Sequence, residues 1–123
     1  MTAAHVNRLD TRRTKIGGAN AIALAGELDL QTGPRFSEEV EIAVWGTAGA
    51  FVLDLSELTF LDSSGLHALL RARAFLARED RPLVLICPSG PARRVLDLAS
   101  VLDTFVVYAS PEAAAAALVP ADD

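Results

Sequence analysis

The sequence predicts a single α/β domain built on a mixed, mostly parallel sheet of about five strands with about four helices. Three observations carry that expectation. Short apolar runs of strand length alternate with segments whose apolar residues recur every three or four positions. Glycine, proline and capping residues punctuate the boundaries between them. The length of 123 residues, 51% of them hydrophobic, suits one core and leaves no room for two.

The elements follow in order. Residues 1–15 are polar with a few apolar positions, Val6 and Leu9 among them, and predict a short edge strand or a basic arm. Gly17-Gly18-Ala19-Asn20 is a tight-turn signal, which makes Ala21–Ala25 an antiparallel neighbour of that first strand. Gly26-Glu27-Leu28-Asp29 ends the second strand and opens a loop. Thr32 is placed to cap a helix whose first turn holds Pro34, and Phe36, Val40 and Val44 form its inward stripe as it runs to about Trp45.

Gly46 to Gly49 breaks the chain before a buried strand, Phe51–Leu55. A loop leads to a second helix from about Ser64 to Arg78. Leu66, Leu69, Leu70 and Leu76 give that helix an apolar face, and His67, Arg71 and Arg78 a polar one. Arg81-Pro82 restarts the chain into the strand Leu83–Ile86, and Pro88-Ser89-Gly90-Pro91 opens a third helix through Leu98. Phe105–Tyr108 is a last strand. Ser110 and Pro111 cap and start a terminal alanine-rich helix, after which residues 120–123 should fray. The domain proper is expected over residues 16–119. Parallel strands joined through helices require right-handed crossovers, with the first strand antiparallel near one edge.

Composition excludes several classes of function. With 11 basic against 16 acidic residues the net charge is −5, which opposes direct nucleic-acid binding. The basic cluster Arg8, Arg12, Arg13 and Lys15 reads as a solvated strand edge. No apolar run reaches the length of a membrane span and the N-terminus lacks the order of a signal peptide, so no membrane insertion and a cytoplasmic location are expected. A single cysteine, Cys87, fits a reducing compartment and reads as a small buried hydrophobe at a strand end.

Packing explains most of the chain. The exception is the segment from Leu55 to Leu66, where a buried strand gives way to a helix, a position at which α/β folds often place binding sites. Asp62, Ser63 and Ser64 supply three capping side chains where one would do, and Gly65 lowers helix propensity in the first turn while permitting close approach.

Val52-Leu53-Asp54-Leu55 followed by Phe60-Leu61-Asp62-Ser63-Ser64-Gly65-Leu66 resembles the signature of the STAS domain, specifically the bacterial anti-sigma-factor antagonists. Gly26-Glu27-Leu28-Asp29 with Thr32 resembles that family's loop before its first helix. The resemblance extends from about Ile22 to Leu118. It implies a binding switch without catalysis or cofactor of its own. In that family the unphosphorylated antagonist binds an anti-sigma factor that is also a serine kinase, and so frees the sigma factor. The kinase, which supplies ATP and Mg²⁺, phosphorylates the first serine of the Asp-Ser-Ser-Gly motif and the antagonist is released. A phosphoserine phosphatase reverses the mark. Carried to this chain, the resemblance makes Ser63 the phospho-acceptor, with Asp29, Thr32, Asp62, Ser64, Gly65 and Leu66 in the docking surface. The alternative is a STAS scaffold or accessory subunit of a sensor or transport assembly, never phosphorylated. Apart from the resemblance, His67 and Arg71 on the exposed face of the second helix read as ordinary solvated helix residues, with tuning of partner choice as the alternative that adds His67 to the partner-binding residues.

Catalytic readings lack parts. Ser63 and His67 lie four apart, but no residue orients the base, and there is no Gly-x-Ser-x-Gly elbow. Asp54 at a strand end lacks the extra acids and nearby lysine of an aspartyl phospho-acceptor, and is read as fixing the following loop. No phosphate-binding glycine motif is present, and His5, His67 and Cys87 form no metal-ligand pattern.

Overall fold

The computed structural model describes residues 8–118; the expectations for residues 1–7, for His5 and Val6, and for residues 120–123 lie outside them. The order is β1 (Leu9–Ile16), β2 (Ala19–Leu28), α1 (Gly33–Val44), β3 (Phe51–Leu61), α2 (Ser63–Ala77), β4 (Leu83–Ile86), α3 (Pro91–Leu98), β5 (Val106–Tyr108) and α4 (Pro111–Leu118), with a 3₁₀ turn over Leu102–Thr104. The five strands form one sheet in chain order. β1 pairs antiparallel with β2, and the remaining pairs are parallel. This is the expected mixed α/β architecture.

Because each parallel strand is followed by its spatial neighbour, right-handed crossovers put α1, α2 and α3 on the same face of the sheet. There Leu9, Ile22, Leu24, Leu53 and Leu85 meet Phe36, Val40, Leu69, Leu76 and Leu96 in the main core. The other face carries a smaller cluster of Ala21, Val52, Val84, Ile86 and Ala114, the last from α4. The backbone of α4 comes so close to the β1–β2 turn that a Cβ at Gly17 would lie 2.7 Å from the carbonyl oxygen of Ala115.

Element boundaries depart from expectation most at three places. β2 continues through Gly26 to Leu28. There Gly26 adopts a φ of +108°, and any Cβ would run into the carbonyl oxygen of Arg8. β3 continues through what reads as a loop, to Leu61. Its register against β2 shifts twice, between Ala23 and Ala25 and between Gly26 and Glu27, each shift adding one residue to β3. Leu55, Leu58 and Leu61 are therefore the buried positions, three apart instead of two, which hides the strand's usual alternation. Asp54 fixes the first irregularity, its Oδ1 accepting the Ser56 amide at 2.9 Å. Finally, α2 starts one residue earlier than expected, at Ser63.

Arg81, read from sequence only as a chain restart, is buried. Its guanidinium donates to the carbonyls of Gly49 at 2.7 Å and of Val44 and Thr47 at 3.2 Å, and to the Thr47 hydroxyl at 3.0 Å. One side chain thus joins the last carbonyl of α1, which also accepts the Thr47 amide, to two carbonyls of the α1–β3 loop, and ties that loop to the start of β4.

Candidate functional site

The C-terminal ends of β2 and β3 lie side by side, with Leu28 opposite Leu61. The two segments singled out in the sequence leave the sheet from these ends, one into the loop before α1 and the other into α2. Gly65 fixes how close they come. A Cβ there would overlap the carbonyl oxygen of Leu28 and lie 2.6 Å from Leu61 Cδ1, so the first turn of α2 rests directly on the backbone of β2.

Asp62 is the N-cap of α2, with extended backbone, and its Oδ1 accepts the Gly65 amide at 2.9 Å. Of the three candidate capping side chains, only Asp62 caps. Ser63, the first helical residue, is exposed. Its hydroxyl engages no described residue. Ser64 is half-buried, Leu66 is buried, and His67 is exposed one turn beyond Ser63.

The other segment is an ordered turn. Asp29 Oδ1 accepts the amides of Gln31 at 2.9 Å and Thr32 at 3.0 Å, and the Asp29 carbonyl accepts the Gly33 amide at 2.8 Å. Thr32 stands at the N-cap position of α1 but does not cap it with its side chain. Its hydroxyl instead accepts the Asp29 amide at 3.0 Å and donates to the Glu27 carbonyl at 2.8 Å. The resemblance assigns Asp29 and Thr32 to a docking surface, yet both are buried, 3% and 7% exposed. They build the turn, because a carboxylate and a hydroxyl within reach of loose amides satisfy those amides better than water does.

Burial leaves Ser63, His67 and the rims of Asp62 and Ser64 as the outer face of the site, with Gly65 and Leu66 beneath it. Sequence reading passed over Leu30, which is 75% exposed at the crest of the Asp29–Thr32 turn. The signal was available, since Leu30 is an apolar residue inside a run of turn formers. Among the described residues no cluster of three or more His, Cys, Asp or Glu is suited to hold a metal. No helix of the described residues is long and apolar enough to cross a membrane.

Comparison with known proteins bears on this geometry. The family model described as the STAS domain matches residues 11–114. Over 82 residues the chain is 29% identical to the anti-sigma-B factor antagonist of Listeria monocytogenes, covering 67% of this chain and 72% of that protein. The crystal structure of an anti-sigma factor antagonist from Mycobacterium paratuberculosis superposes with a TM-score of 0.82 at 25% identity, covering 98% of this chain and all (100%) of the other. The fold is also that of the unphosphorylated anti-sigma factor antagonist SpoIIAA, at a TM-score of 0.71 and 20% identity over 92% of this chain and 100% of that one. With the family model spanning all five strands and the Asp62–Leu66 turn set against β2, this chain belongs to the STAS domain family.

Proposed function

We propose that this protein is an anti-sigma-factor antagonist working as a phosphorylation-controlled binding switch. Unphosphorylated, it binds an anti-sigma-factor serine kinase and frees the sigma factor; phosphorylation of Ser63 by that kinase releases it, and a phosphoserine phosphatase resets it. The observation that carries the reading is the state of Ser63. It is an exposed, uncommitted hydroxyl on the first residue of a helix whose cap and backing are both fixed. The relatives' printed names, antagonists of anti-sigma factors, support the class of partner.

The physical consequence of the mark follows from its place. A phosphate adds about −1.5 to −2 charges at neutral pH. At the first turn of a helix the macrodipole favours that charge by about 0.3–1 kcal/mol when exposed, so the domain stays folded. The docked surface bears the effect instead, since a dianion beside Asp62 must be desolvated against the partner. Moving a partner from almost fully bound to almost fully free takes a bias of about 5.5 kcal/mol. A phosphate buried at an interface is one of the few single changes large enough to supply much of it. Asp62, Ser64, Gly65, Leu66 and His67 surround the acceptor in this reading, and Asp29 and Thr32 act through the turn they hold.

The test is phosphate transfer and binding with purified anti-sigma-factor kinases from the source genome. One of them should bind the wild type and Ser63→Ala alike, label Ser63 alone in the presence of ATP, and lose at least tenfold in affinity for Ser63→Asp. Label on Ser64 moves the acceptor. Equal binding of all three proteins with no label removes the switch and leaves the fixed subunit of a larger assembly.

A further inference from the structure

α1 and α2 each follow a strand of the parallel part of the sheet and lie on the same face of it, so they run side by side in the same direction. Between them lies a groove of about 260 Å³. Val40, Ala72 and the half-buried Phe75 form its base, Glu41 stands on the α1 wall, and Arg71 and Arg78 stand on the α2 wall. Past Glu41 and Phe75 the groove continues into a hollow of about 360 Å³ beside Trp45. Trp45 is the only tryptophan of the sequence and is 87% exposed at the end of α1. An aromatic side chain of this size buries about 150–250 Å² when it is covered. The two walls carry opposite charge. Glu38, Glu41 and Trp45 recur on the exposed side of α1, and His67, Arg71 and Arg78 along one stripe of α2. Among the described residues no ion pair or hydrogen bond engages the side chain of Glu41, Arg71 or Arg78, although all three line one groove.

We propose that the α1–α2 face is the interface of a homodimer, in which a second copy of this chain covers the groove. The charges decide both the occupant and its orientation. A two-fold contact sets a face against itself, and two in-plane axes lay helix along helix. An axis across the helices stacks α1 on α1 and α2 on α2, so that glutamate meets glutamate and arginine meets arginine. An axis along the groove instead sets α1 on the partner's α2. Glu41 then comes opposite the partner's Arg71 and the partner's Arg78, and the same pairing repeats on the other side of the axis. Because Trp45 and Phe75 line one hollow, this axis also brings Trp45 to the level of the partner's Phe75, with a guanidinium beside the indole. Helices of 12 and 15 residues are about 18 and 22 Å long, a footprint at the lower end of stable interfaces, so the dimer exchanges with monomer. The inference stands independently of the switch reading of Ser63.

Sedimentation velocity and Trp45 fluorescence, followed from about 1 μM to 1 mM protein, test it. Wild type should pass from monomer to dimer, and the emission should shift to the blue as it does. Glu41→Arg and the double variant Arg71→Glu/Arg78→Glu should each dimerise about tenfold or more weakly, with unchanged thermal midpoints, because all three positions are exposed. An equimolar mixture of the two should recover dimerisation to within about threefold of wild type, since arginine on α1 of one copy then meets glutamate on α2 of the other, and the reverse. Wild type that stays monomeric throughout overturns the proposal and leaves the groove to a different protein. A monomer whose emission is already blue at every concentration overturns it too, and assigns the cover to chain outside residues 8–118. A dimer that ignores both charge reversals has its contact elsewhere. Loss in each variant without recovery on mixing overturns the facing of α1 on α2.

Discussion

At Gly65 one hydrogen atom holds two segments together. The first turn of α2 can lie on the carbonyl of Leu28 because no Cβ intervenes. Gly65→Ala should raise helix propensity by about 1 kcal/mol on its own. Against that stands overlap with backbone that cannot rotate away, which costs about 1–3 kcal/mol when a packed site must shift. The second effect wins, because the obstruction is a main-chain oxygen. A lower urea midpoint for Gly65→Ala, together with altered amide shifts in the Asp29–Thr32 turn, is the expected outcome. A more stable variant with unchanged shifts would show that α2 does not rest on β2. The same residue scale separates two kinds of site residue. Ser63 and His67 face outward, whereas Asp29 and Thr32 spend their polar atoms on the turn. The motif was legible in sequence, but the sequence had no means of saying which side chains it buries.

A few long-range polar ties add to apolar packing in positioning the elements. Arg35 donates to the Leu9 carbonyl, and the Thr11 hydroxyl to Glu39 at 2.9 Å, both joining α1 to β1. Arg81 does the larger task at the far end of α1. Arg81→Ala leaves several carbonyls short of donors in a half-buried loop and should cost about 1–3 kcal/mol. Arg81→Lys should recover little of it, because an ammonium cannot present the planar fork that reaches Gly49, Val44 and Thr47 together. Denaturant unfolding gives the loss, and faster exchange of the Thr47 amide, bonded to the Val44 carbonyl at 3.1 Å, localises it. Full rescue by lysine would mean that charge and not geometry matters there. At this scale helices were readable from period and caps, Ser110 included, whose Oγ accepts the Ala113 amide at 3.1 Å. The second half of β3 was not, because its two irregularities place buried leucines three residues apart.

For the whole molecule, sheet faces and their covering helices decide what solvent reaches. Cys87 follows β4 in the main core and is 1% exposed. Burial raises its thiol above the ordinary 9.0; Arg93 opposes this and Asp97 adds to it. The unfolded thiol therefore ionises first. The contribution of Cys87 to stability is full below about pH 9 and is lost as pH rises towards the folded value. Unfolding free energy measured from pH 7 to 10.5 should fall more for wild type than for Cys87→Ala, and a native thiol reagent at pH 8 should react slowly. Parallel pH curves for the two proteins would place the thiol in contact with water.

Composition, apolar period and turn chemistry by themselves determined an α/β domain and the order of its strands and helices, and singled out the Leu55–Leu66 segment as the candidate site. These are local properties, written in spacings of two to four residues and in capping side chains. Tertiary structure alone decided that Gly65 seats on Leu28, that Asp29 and Thr32 are buried, that Leu30 is exposed, and that Arg81 closes the end of α1. Each of these depends on which backbone from a distant part of the chain arrives beside the residue, and no local spacing encodes that arrival.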